Sequence, residues 1–166
     1  MVKRLYIIFS ILLIAIIPTS ILKISNEEYS INIKTTYKET IGRLIINKIN
    51  IDEELYPINN KHNNIEEHVT ILKESNMPNL LILAAHSGIG RIAYFQELNK
   101  LEINDEIIVY YKNKKYTYII DNIWEEKKNG YIHINNSNKN QLILTTCSPN
   151  KEGYQLIVNC IEKESI

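Results

Sequence analysis

The chain has 166 residues, and its 19 lysines and arginines are balanced by 19 aspartates and glutamates, for a formal net charge of zero. That length allows one domain plus an appendage, and the charge balance lacks the basic footprint that a nucleic-acid partner requires. Two cysteines, Cys147 and Cys160, are too few for a disulfide-built scaffold.

In chain order, Lys3 and Arg4 precede an apolar run over residues 5–22, which Lys23 closes. A run of roughly 20 apolar residues spans a bilayer core. Pro18-Thr19-Ser20 is followed by Ile-Leu-Lys, which is no small-x-small cleavage site, so an uncleaved signal anchor is favoured over a removable leader. The basic residues ahead of the run put residues 1–4 in the cytoplasm and everything beyond the anchor outside, as in a single-pass membrane protein. Residues 23–40 are polar and read as a stalk, which leaves residues 41–166 as the domain.

That domain reads mainly as β-structure. Residues 43–51 show a partial alternation suited to a first strand. Asn64 followed by Glu67 is a capping-box signal, and Ile65, Val69 and Leu72 then share one helical face. Leu80 to Ala85 is a buried strand that delivers His86 to a Gly88-Ile89-Gly90 turn. Ile92, Phe95 and Leu98 recur at three-residue spacing, which predicts a second short helix. Residues 106–111 and 115–124 flank the polar turn Lys112-Asn113-Lys114 as a hairpin, and Asn129-Gly130 is a further turn. The last pair, 141–146 and 155–161, is joined by a loop holding Pro149 and Gly153. The expectation is a closed or nearly closed β-barrel of seven to eight strands with two short helices.

The chemistry concentrates at two strand ends. Leu142-Ile143-Leu144-Thr145-Thr146-Cys147-Ser148-Pro149 ends an apolar run in a thiol, and Leu80-Leu81-Ile82-Leu83-Ala84-Ala85-His86-Ser87-Gly88 ends one in an imidazole. Together they suggest a Cys–His nucleophilic site. Cys147 as a small buried hydrophobe is the bland alternative. In a hairpin centred on 149–153, Cys160 falls about 16 Å along the strand from the level of Cys147, beyond disulfide reach, so it is expected to serve packing.

These motifs, with their order and the anchor, resemble those of sortases, the membrane-anchored transpeptidases of Gram-positive bacteria. Ile41-Gly42-Arg43-Leu44-Ile45-Ile46 resembles the family's first strand. Ala84-Ala85-His86-Ser87-Gly88 resembles its histidine motif, and Ala93-Tyr94-Phe95-Gln96-Glu97-Leu98 the helix that follows. Ile143-Leu144-Thr145-Thr146-Cys147 matches its Thr-Leu-x-Thr-Cys motif at Leu144, Thr146 and Cys147. The resemblance implies that Cys147 attacks a Leu-Pro-x-Thr-Gly-like sorting signal to form a thioacyl-enzyme. His86 then serves as general acid and base, and the acyl group passes to an amine on a cell-wall precursor or a pilin.

One position departs from the family. Where sortases carry an arginine at the start of the last strand, this chain has Gln155, an amide able to donate to an oxyanion but without charge. Three readings stay open: Gln155 substitutes directly, Arg91 or Lys151 reaches in, or the domain is a membrane-tethered module that binds sorting peptides and turns over poorly. Thr146, Ser87 and Arg91 are further expected substrate contacts. So are Tyr131 and Ile132, on a peptide-binding loop over 124–140. The shortness of that loop and the lack of a lid segment in the stalk favour a minimal, class A- or D-like enzyme. No cofactor is expected. Calcium on Glu66, Glu67, Glu125 and Glu126 is the lesser reading beside a solvated acidic face, and His62, His68 and His133 look like scattered surface residues. Papain-like enzymes run Cys before His, the opposite order, and caspase-like surroundings of the cysteine are absent.

Overall fold

The computed structural model describes residues 40–75, 80–134 and 138–163; the expected anchor over 5–22 and the stalk up to residue 39 lie outside them. Among the described residues no helix is long and apolar enough to cross a membrane. Eight strands form: β1 (Gly42–Ile46), β2 (Ile51–Leu55), β3 (Thr70–Glu74), β4 (Leu80–Ala84), β5 (Glu106–Tyr111), β6 (Lys114–Lys127), β7 (Gln141–Cys147) and β8 (Tyr154–Glu162). They make one sheet in the order β2-β1-β5-β6-β8-β7-β4-β3. Strands from both ends of that order feed one core, with Leu44 and Leu55 beside Ile71 and Leu83, so the sheet curls into a nearly closed barrel.

Local sequence explains most of the elements. The β5–β6 hairpin turns on Lys112 and Asn113, both at positive φ (49° and 64°), as a two-residue type I′ connection requires. The strand expected over 43–51 is two strands: a single 3-10 turn at Asn47–Ile49 and a left-handed Asn50 break it and fold β2 back on β1.

The two expected helices are corrected. Asn64 does cap, with its side chain accepting from the Glu66 N–H at 3.1 Å and its carbonyl from the N–H groups of Glu67 and His68. The result is a turn, because Thr70 to Glu74 then pair with β4 as a strand. Around Phe95 and Leu98 the chain makes consecutive turns ending in a 3-10 turn at Leu98–Lys100. Both side chains are buried, so the three-residue spacing marked core contact without regular α-helix.

A small second core sits on the outer face of the sheet. There Ile82, Ile143 and Ile157 are covered by Leu80, Trp124, Ile132 and Ile134. The segment after β6 is thus folded back over the sheet. A polar clasp at the rim holds it. The Gln155 amide nitrogen donates to the Tyr131 carbonyl at 2.7 Å and to Glu126 Oε1 at 3.1 Å. His133 Nδ1 meets the other Glu126 oxygen at 2.8 Å. Burial opposes ionisation of Glu126, but hydrogen bonds from His133, Gln155 and Trp124 together outweigh it and hold the carboxyl below its ordinary range.

Two stability predictions follow from these contacts. A Cβ at Gly42 would overlap the Tyr110 carbonyl oxygen across the β1–β5 pairing; Gly42→Ala should cost about 1–3 kcal/mol in urea unfolding. Glu126→Gln should cost about 1 kcal/mol at pH 7, the low end for charge-assisted bonds because the clasp stands at the solvent rim. With the folded-state value depressed, that contribution is complete above the unfolded carboxyl value near ~4.3 and lost as pH falls through the folded one. The gap between variant and parent should therefore close as the pH falls through that depressed folded value; a gap that persists into strong acid would mean the clasp does not depend on the carboxylate.

Candidate active site

Strand pairing brings the chain ends that carry the thiol and the imidazole to one rim. β4 and β7 run parallel, Leu80 facing Gln141 and Ala84 facing Thr145. Continued by two residues, that register puts His86 level with Cys147. The period of two along a strand sets both on the outer face, with Ile82 and Ile143. Beyond the paired segment three bonds keep the two chains together. The Ala85 N–H donates to the Thr145 carbonyl at 3.4 Å, the Thr146 hydroxyl to the Ala85 carbonyl at 2.7 Å, and the Ser87 hydroxyl to the Cys147 carbonyl at 2.9 Å.

The thiol of Cys147 is exposed. It borders an open pocket of about 490 Å³ whose walls include Lys128, Pro149, Glu152 and Tyr154. The Lys128 ammonium donates to Cys147 Sγ at 3.3 Å. The turn beyond the sulfur is braced by Ser148, whose hydroxyl donates to Glu125 and accepts from the Asn150 and Lys151 N–H groups. Cys160 differs in every respect. It is buried on the inner face opposite Leu142, five positions along β8 from the partner of Cys147, and burial pushes its thiol up. It is an inert packing residue.

His86 lies beside the turn that replaced the first expected helix. Its Nε2 meets Glu66 Oε1 at 3.1 Å, and its carbonyl accepts from the Phe95 N–H at 3.0 Å. The Tyr94 hydroxyl donates to the Glu67 carbonyl at 3.0 Å, tying the loop after His86 to that same turn. A carboxylate on one ring nitrogen fixes the tautomer and the orientation of the other.

The remaining expected site residues divide. Gln155 stands directly opposite Cys147 on β8, and opposite Glu126 on β6. The three side chains therefore form a row on one face, but the amide of Gln155 is engaged by Glu126 and Tyr131. Thr146 points inward, only 6 % exposed, and serves as a strut to Ala85. Ser87 binds the Cys147 backbone. Arg91 is on the exposed loop near Tyr94, whose phenol feels its charge. Lys151 lies over the Tyr154 ring, 3.6 Å from its centroid. Tyr131 is 72 % exposed at the rim, while Ile132 is packed into the outer-face core.

All four acidic residues considered for calcium are bound to protein groups: Glu66 to His86, Glu67 to His62, Glu125 to Ser148 and Glu126 to His133 and Gln155. The histidines at 62 and 68 are not scattered. With Glu67 they bring one ligand atom each within 4.8 Å of one another, and both rings stack on Tyr56. Two imidazoles and one carboxylate form a borderline-soft donor set, unlike the all-oxygen shell that calcium takes.

Lys128 and the pairing of Glu66 with His86 are not visible in the sequence. Lys128 is the second of two lysines before the Asn129-Gly130 turn, and its nearness to the thiol depends on β6 and β7 both pairing with β8. In the sequence Glu66 stands out only as one of the acidic residues considered for calcium.

A family model described as the sortase domain matches residues 44–162. Among solved structures, the chain is similar to sortase A from Corynebacterium diphtheriae, with a TM-score of 0.65 and 20 % identity over 76 % of this chain and 62 % of that one. It is also similar to sortase C1 from Streptococcus agalactiae, with a TM-score of 0.63 and 26 % identity over 77 % and 69 %. Streptococcus pneumoniae sortase C gives a TM-score of 0.65 and 20 % identity over 76 % and 70 %. No curated protein sequence matches significantly. The structural likenesses establish the fold, and the family model, spanning most of the domain with both the histidine and the cysteine motifs inside it, shows that the chain belongs to the sortase family.

Proposed function

We propose that the chain is an extracytoplasmic cysteine transpeptidase acting on a Leu-Pro-x-Thr-Gly-like sorting signal. The observation that carries this reading is the parallel register that sets His86 level with an exposed Cys147. Cys147 Sγ attacks the threonine carbonyl carbon, and the peptide bond to glycine breaks as His86 gives a proton to the departing amine. The resulting thioester is then attacked by an acceptor amine, whose proton His86 takes as the carbon–sulfur bond breaks. The acceptor would be an amine of a cell-wall precursor or a pilin. Residues 5–22 would hold the enzyme at the membrane with residues 1–4 in the cytoplasm, and residues 23–40 would set the domain off the surface. The short β6–β7 connection supports a minimal, class A- or D-like type.

A second reading, a tethered sorting-peptide-binding module with poor turnover, is favoured by Gln155 standing where the family's arginine is expected, with its amide already engaged.

Incubating the full-length protein in detergent micelles with a sorting-signal peptide, with and without an amine acceptor, separates the two. The enzyme reading expects one thioacyl adduct on Cys147 by mass spectrometry, absent in Cys147→Ala. It also expects turnover reduced about 10²–10⁴-fold in His86→Ala. Peptide binding with neither adduct nor cleavage would leave the module.

A further inference from the structure

The position that should carry the site's positive charge carries Gln155, and Gln155 is not free. Its amide donates to the Tyr131 carbonyl and to Glu126. Its place in the row Glu126–Gln155–Cys147 makes it the middle of a clasp that holds the 131–134 segment. The two arginines among the described residues have other partners. Arg43 is paired with Asp52 through two bonds of 2.5 and 2.7 Å on the first strand, and Arg91 is beside Tyr94. Lys151 covers the Tyr154 ring.

We propose that Lys128 is the cationic residue of this site, holding the Cys147 sulfur as an anion in the charge role that Gln155 cannot fill. The ammonium is 3.3 Å from Sγ, and an opposite charge at that range favours the ionised form of its neighbour. The side chain is aimed by the fold. Two residues beyond Glu126, Lys128 shares its face, and its backbone N–H is fixed to the Gly153 carbonyl at 2.9 Å. β8 separates β6 from β7, and level with Lys128 the chain just ahead of β8 has Gly153, which carries no side chain. Lys128 and Cys147 both line the open pocket, where a sorting-signal carbonyl would approach. An ammonium is a point charge without the planar two-pronged donor array of a guanidinium. It can stabilise the sulfur, and then the oxyanion, one at a time.

This role rests on Cys147 being the nucleophile, yet its test needs no sorting peptide. The test is the rate at which iodoacetamide alkylates Cys147 in the full-length protein in micelles at pH 7 and low salt, read by peptide mass spectrometry. Loss of the neighbouring positive charge is partly offset by greater intrinsic nucleophilicity, so Lys128→Ala should react about threefold more slowly. Lys128→Arg should stay close to the parent rate. Lys127→Ala removes the same charge from the neighbouring position and should be unchanged. In 1 M salt the Lys128→Ala difference should shrink, because the pair is exposed and screened. Cys160 stays unreactive in every variant that keeps its fold, which separates lost charge from unfolding. Equal rates for Lys128→Ala and the parent, or an equal fall in Lys127→Ala, would overturn the assignment. Failure of peptide cleavage with the Lys128 effect intact would instead count against the transpeptidase reading alone.

Discussion

The structure depends on one parallel pairing in an otherwise antiparallel sheet. β4 and β7 are distant in sequence and run the same way, so their C-terminal ends reach the same rim. A parallel pair requires a long crossover, and here the β5–β6 hairpin supplies it. Because both strands end together, a histidine just after one and a cysteine at the end of the other become neighbours without any loop having to place them. The bonds from Ser87 to the Cys147 carbonyl and from Thr146 to the Ala85 carbonyl extend the pairing past the last ladder position. A site built on strand ends is more rigid than one carried on loops.

The two faces of those strands do different work. Inward residues such as Leu142, Leu144 and Val158 fill the barrel core, and their burial anchors the rim. Outward residues run from the small apolar patch around Ile143 and Ile157 to the polar row of Glu126, Gln155 and Cys147. The segment folded over the patch is held by that same row. The connection after β6 is therefore tied to the site by hydrogen bonds one residue pair away from the thiol. It also brings Lys128 to the sulfur. Gln155 and Lys128 divide between them what one arginine would do: the amide organises the rim, and the ammonium supplies charge.

Much of this was legible in the residues, and the gaps have physical causes. The strands of β4, β5, β7 and β8 were bounded closely because each is an apolar run ended by turn chemistry. The first strand was read as one because Asn50, which breaks it, needs only a left-handed backbone and leaves no apolar gap. Both expected helices failed for a single reason. Of Ile65, Val69 and Leu72 only Val69 is buried, and of Ile92, Phe95 and Leu98 only the last two, so the spacing followed a few core contacts that a chain of turns makes as well as a helix does. Cys147 and His86 stood out because reactive side chains at strand ends are a local signal. The roles of Lys128 and Glu66 did not, because they arise from contacts between segments that the sequence keeps apart, and the His62–Glu67–His68 group did not, because it depends on how one irregular run of turns folds.

The measurement that probes the account most directly is the disulfide trapping of the β4–β7 register. Residues level on adjacent parallel strands lie roughly 4.8 Å apart, within the range a disulfide spans. The variant His86→Cys, left to oxidise, should lose two mass units and show a peptide cross-link between positions 86 and 147, with Cys160 still reduced. Two freely alkylated thiols at 86 and 147 in a folded protein would mean that the strand ends do not converge, and with them the site would fall.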